Sequence, residues 1–205
     1  MKLVAAWNAV SGAIVNLQAE GSETETGRVE AETTSASVSN TFAAGSIFAE
    51  AKFGQLAFGI DYVPMDADVS DATHTRTDME TSVTGDDDEV TTARTQTAAA
   101  EVSDHITLYA NYYLNDAIYL HLGYASVDVS SNESLDTGSK YGNVNIDGIQ
   151  YGLGIQMTDN LRLEAAYTDY DDVKLTSSVA RTNVDTNNTI SADLDTTQIK
   201  LSYHF

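Results

Sequence analysis

The chain has 205 residues, with 31 acidic against 10 basic side chains, a formal net charge of −21 and no cysteine. That balance excludes nucleic-acid binding through a general basic surface, and the cysteine count excludes disulfide frameworks, thiolate metal sites and cysteine nucleophiles. With one proline, 42% hydrophobic residues and no run of 18 apolar residues, the chain reads as folded and crosses no bilayer as a helix, so a membrane role has to come through strands.

Residues 1–205 are read as a single domain built of strands. The opening Met1-Lys2-Leu3 and its apolar followers resemble a secretory signal, but Asn8, Ser11, Gly12 and Asn16 interrupt the apolar stretch. The segment is read instead as the first strand, Trp7 to Ala19, with its odd positions as the apolar face. A polar stretch over 20–41 follows. Ala43, Gly45, Ile47, Ala49, Ala51 and Phe53 then alternate with Ser46, Phe48, Glu50 and Lys52. The turn Gly54-Gln55 leads into Leu56, Phe58, Ile60 and Tyr62 on one face, with Asp61 and Gly59 opposite.

After a long connection over 64–101, Ile106, Leu108, Ala110, Tyr112 and Leu114 face away from His105, Thr107, Tyr109, Asn111 and Tyr113. Asn115-Asp116-Ala117 is a tight turn into Ile118, Leu120, Leu122 and Tyr124. Beyond the connection 129–145 comes Ile149 to Met157, then the turn Thr158-Asp159-Asn160, then Leu161, Leu163, Ala165 and Tyr167. The last connection, 170–195, precedes a strand ending in Leu201, Tyr203 and Phe205.

The strands number eight, an even count that lets an antiparallel sheet close with both termini on one side. Three short turns alternate with four long connections. That sorting suits a transmembrane barrel with short periplasmic turns and long extracellular hairpins. The fold class is therefore all-β: an eight-stranded antiparallel up-and-down transmembrane barrel. Turn signals inside the long connections predict protruding hairpins rather than loose coil.

One face of each strand suits lipid. Phe53, Phe58, Tyr112, Tyr203 and Phe205 gather at the short-turn end, and Tyr62, Tyr124 and Tyr167 at the far end, as two aromatic belts around an aliphatic zone. The opposite face carries Glu50, Lys52, Asp61, Arg162, Glu164 and Lys200. These three acids and three bases are read as an ion-pair network in a narrow lumen otherwise holding water, with a solute constriction as the alternative. The inward glycines Gly59, Gly123, Gly148, Gly152 and Gly154 leave room for long side chains.

Other chemistry is sparse. The four histidines show no ligand-like spacing. Ser103 and His105 share one strand face and could suggest a lipid-modifying hydrolase, but Ser/His pairs two apart arise by chance and a triad is recognised by geometry. Asp86-Asp87-Asp88-Glu89 is the candidate for a hard cation; lacking the spacing of a calcium loop, it is read as a solvated tip. No cofactor, metal or catalytic residue is assigned, and no enzyme activity is expected.

The segment Tyr151-Gly-Leu-Gly-Ile-Gln-Met-Thr-Asp-Asn-Leu-Arg-Leu-Glu-Ala-Ala-Tyr-Thr-Asp-Tyr-Asp and the terminal Gln198-Ile-Lys-Leu-Ser-Tyr-His-Phe205 resemble the small eight-stranded outer-membrane barrels of Gram-negative bacteria. That group includes the OmpA transmembrane domain, OmpX and the opacity-type surface proteins. The resemblance implies an outer-membrane location, contact with outer-membrane lipid and lipopolysaccharide, and insertion by the barrel assembly machinery. It makes Tyr203 and Phe205 the insertion signal, with His204 where arginine is common. The expected role is a non-enzymatic surface or structural protein whose acidic loops contact the cell's surroundings or other membrane and surface proteins. The alternative is a small porin-like channel for ions or polar solutes.

Overall fold

The computed structural model describes residues 5–25, 32–70, 74–84, 88–134, 141–178 and 189–205. Strands dominate: β1 (Ala5–Glu25), β2 (Glu32–Phe53), β3 (Leu56–Val63), β4 (Ala67–Asp68), β5 (His74–Thr84), β6 (Asp88–Tyr113), β7 (Ile118–Ser134), β8 (Asn143–Gln156), β9 (Leu161–Tyr170), β10 (Val173–Thr176) and β11 (Thr189–His204). All pair antiparallel in one sheet ordered β1-β2-β3-β6-β7-β8-β9-β11. The sheet closes through β1 and β11, from Ala9↔His204 to Thr24↔Thr189. Strands β4 and β5 prolong the β3 stave along β6, and β10 prolongs β9 along β11, so eight staves form the barrel. At the level of the outward apolar side chains, closure leaves no free sheet edge among the described residues, which hydrocarbon requires because it cannot hydrogen-bond a bare edge.

Pairing runs well into the long connections. The β1–β2 ladder reaches Glu25↔Glu32, and the β5–β6 ladder reaches Thr84↔Asp88. Among the described residues strand covers 20–25 and 32–41 of the first connection and 67–68, 74–84 and 88–101 of the second.

The outward face holds large apolar side chains open to the surroundings: Leu122 is 59% exposed, Ile199 57%, Ile47 56% and Leu108 55%. A water-soluble barrel would bury that stripe. Here it is solvated by lipid tails, and the inward face of the same staves carries the charges.

In β1 the lipid face is the even one, not the odd one. Val10 and Ile14 are exposed, whereas Ala9, Val15 and Leu17 are buried inside. The register decides this: Val10 pairs with the outward Ile47 and Tyr203, and Ile14 with the outward Ile199. Apolar count misled because the odd positions serve a second core.

That core is the main departure from a lumen of water and ion pairs. Leu17, Val69, Val102, Ala125, Val127, Val129, Ile146, Tyr170, Val173 and Leu194 form a buried apolar cluster inside the half of the barrel remote from the short turns. At this level the outward positions are polar, as in Asp128, Asn145, Asp169 and Asp193, so inside and outside have exchanged polarity. In β6 the exchange uses a bulge. The register shifts between Ser103 and Ile106, with Asp104 at φ 50°. The extra residue turns an even-numbered apolar row from inward at Val102 to outward at Ile106. The same bulge breaks the shared face expected for Ser103 and His105.

Candidate functional site

The lower lumen is built by the inward positions of seven staves. Arg162 on β9 reaches across to Glu50 on β2 and makes a fork, Nη1 to Oε2 at 2.9 Å and Nη2 to Oε1 at 2.8 Å. Its Nε donates to Gln156 Oε1 at 2.7 Å. Lys200 on β11 meets Asp61 on β3 at 3.2 Å and Glu164 on β9 at 3.0 Å. All five charged groups are buried. In a low-dielectric interior a single charge is very costly, and these pairs offset that cost by geometry and hydrogen bonds. Lys52 joins differently, its Nζ lying 3.4 Å from the centre of the Tyr113 ring. The six charges expected from the sequence thus lie in one lumen, two of the acids sharing one lysine.

Neutral residues that the charge pattern does not single out complete the network. Asn111 Nδ2 donates to Glu50 Oε2 at 3.0 Å, and Tyr119 donates to Glu164 Oε2 at 3.0 Å. The His121 ring nitrogens sit 2.8 Å from Asn111 Oδ1 and 2.8 Å from Gln150 Oε1, and Gln150 Nε2 donates to Thr168 at 2.9 Å. The signal for these was their inward parity on the same strands. Two glycines make space for rings: a side chain at Gly59 would strike the Tyr109 ring, and one at Gly154 the Tyr119 ring.

The belts sit on the outer face. Tyr112, Tyr124, Tyr203, Phe58 and Phe205 are exposed, and Phe53, Tyr62 and Tyr167 are half-buried. Tyr203 and Phe205 pack edge to face, centroids 5.3 Å apart. Tyr151 packs against Tyr167, centroids 5.3 Å apart with the rings tilted at 49°, and so belongs to the far belt rather than to an aliphatic zone. Each far-belt tyrosine of an ascending strand is hydrogen-bonded to an aspartate on a neighbouring strand or bulge: Tyr62 donates to Asp104 at 2.9 Å, Tyr124 to Asp147, and Tyr167 to Asp195. These bonds mark where apolar surroundings end and water begins.

Above that level the outer wall is acidic. On the β9–β11 side Lys174 donates to Asp172 at 3.1 Å and, with a hydrogen bond from Asp193, holds its carboxyl below the usual range. Asp193 is pushed up, first by that hydrogen bond and then by the charge of Asp172. Asp86 and Asp87 lie outside the described residues, as do the side chains of Asp88 and Glu89. Among the described residues no cluster of three or more potential metal ligands occurs.

A closed antiparallel barrel with a lipid-facing apolar belt and an ion-paired interior is the fold of an integral outer-membrane β-barrel. The chain resembles the outer membrane protein OprG from Pseudomonas aeruginosa, at 10% identity over 96% of each chain with a TM-score of 0.52. It also resembles the attachment invasion locus protein Ail of Yersinia pestis (12% identity, 96% of this chain and 99% of that one, TM-score 0.42) and the outer membrane protease OmpT from Escherichia coli (12%, 100% and 99%, 0.49). No family model matches the sequence, and no curated protein does.

Proposed function

We propose that this protein is a non-enzymatic surface protein of the Gram-negative outer membrane, sealed to ions, whose acidic outer wall and hairpins meet cationic groups outside the cell. The carrying observation is the double closure of the lumen. Arg162–Glu50 and Lys200–Asp61–Glu164 fill the lower half together with the rings of Tyr109, Tyr113 and Tyr119. The apolar cluster around Leu17, Val127 and Leu194 fills the upper half. A hydrated ion meets buried, paired charges and then an apolar layer, and neither supports conduction.

The outside supports the contact role. Asp128, Asp147, Asp169, Asp171, Asp193 and Asp195 lie on the wall above the belt, where water and lipopolysaccharide headgroups replace lipid tails. The barrel assembly machinery would insert the chain through its Tyr203–Phe205 end. Two experiments test the reading. In planar bilayers the reconstituted barrel gives no unitary current steps; steady steps would replace the reading with a small channel. Cells expressing it adhere to a polylysine-coated surface more than cells without it, and changing those six aspartates to asparagine removes the gain. Unchanged adhesion would contradict the contact role.

A further inference from the structure

Between the ion pairs and the apolar cluster the barrel is not full. A cavity open on one side has Ala13, Ala44 and Phe42 in its walls and Asp61, His105 and Lys200 among its polar lining. Asp61 is only 7% exposed. Its Oδ2 meets Lys200, while its Oδ1 is buried and has no hydrogen-bond partner among the described residues. Lys200 is shared with Glu164, so two carboxylates lean on one ammonium. A buried carboxylate oxygen without a donor is costly, and Asp61 is itself part of the cavity lining.

The mouth follows from the strand pairing. β2 pairs with β3 only from Phe53↔Leu56 to Ile47↔Tyr62. Farther up, β4 and β5 pair with β6, and no ladder joins them to β2 among the described residues. Single contacts span the seam: Gly45 N–H to Met65 Sδ at 3.2 Å and Asn40 Nδ2 to the Asp68 carbonyl at 2.7 Å. Gly45 and Met65 also line the cavity, which places its opening at this seam.

We propose that this cavity binds a small amphipathic solute, its apolar body against Ala13, Ala44 and Phe42 and its hydroxyl or protonated amine donating to the Asp61 carboxylate. The Asp61 carboxylate, sharing its lysine with Glu164, rejects an anionic head of the same size. A neutral hydroxyl gains one hydrogen bond, and an ammonium makes that bond charge-assisted.

The test uses the whole barrel in lipid nanodiscs, with benzylamine, benzyl alcohol and benzoate as probes and the Ala13 and Ala44 methyl resonances as reporters. Benzylamine and benzyl alcohol shift both methyls saturably, and benzoate does not. Asp61→Asn weakens benzylamine at least tenfold; Lys200 keeps Glu164, so the barrel stays folded, which heat-modifiable gel migration checks. Ala44→Phe fills the cavity and abolishes the saturable shift at Ala13. Should Asp61→Asn fail to fold, the benzoate comparison and Ala44→Phe still decide. No saturable shift by any probe, benzoate binding as well as benzylamine, or binding indifferent to Ala44→Phe would overturn the proposal.

Discussion

Below the tyrosine belt the barrel is oily outside and polar within; above it the same staves are polar outside and oily within. Leu122 faces lipid while His121 beside it faces the lumen, yet a few residues on Val127 is buried and Asp128 faces water. One continuous ladder thus serves two solvents. In lipid the inward groups must satisfy one another, because no outside water will. In water the inward groups need only be apolar and well packed. The two halves therefore fail by different routes: the lower by leaving a charge alone, the upper by opening a void.

The largest effect follows from Glu50→Gln. It leaves the buried Arg162 guanidinium without its carboxylate, a change that costs about 3–5 kcal/mol. Urea unfolding in lipid vesicles would show it, and a shift of under 1 kcal/mol would mean the fork is solvated. Next comes Leu17→Ala, which empties part of the upper cluster at roughly 2–5 kcal/mol. Its distinctive readout is hydrogen exchange: protection falls in the β1–β2 and β1–β11 ladders above the belt, and the lower ladders keep theirs. Uniform loss along the staves would erase the distinction between the halves.

Smaller effects probe the boundaries. Gly154→Ala drives a methyl into the Tyr119 ring and costs about 1–3 kcal/mol by overpacking. Tyr124→Phe removes the bond to Asp147 at roughly 0.5–1.5 kcal/mol, read as a lower urea midpoint. The smallest effect is a titration. Carboxyl resonances followed against pH place Asp193 above and Asp172 below the ordinary aspartate value. The signs oppose. Asp172 stabilises the β10–β11 contact above the ordinary range and loses that contribution as pH falls through its lowered pKa. Asp193 contributes at low pH and loses its part as pH rises through its raised pKa. Identical midpoints would mean that the two carboxyls do not meet in solution.

Much of the lower half was legible in the sequence, because lipid imposes a strict rule on alternate residues. Ile118, Leu120, Leu122 and Tyr124 announce a face, and the six charges opposite announce the lumen. The upper half uses the same period with its phase reversed, at Ser126-Val127-Asp128-Val129. Pattern alone could have shown that reversal, but the polar outward residues there also suit a loop. β1 suffered most: its odd row holds Val15 and Leu17 of the upper core, which outweighed Val10 and Ile14 on the lipid side. Asn111, His121 and Gln150 carry no fixed charge, so only the inward parity of their strands, not their chemistry, pointed to the network.

Spin labels placed singly at 120, 122, 126, 127, 128 and 129 of the reconstituted barrel measure the reversal most directly, through collision rates with oxygen and with a water-soluble nickel complex. Labels at 120 and 122 should collide with oxygen, those at 126 and 128 with nickel, and those at 127 and 129 with neither. Nickel reaching 127 and 129 as readily as 128, or lipid-like oxygen rates continuing through 126 and 128, would contradict the exchange of inside and outside on which both halves depend.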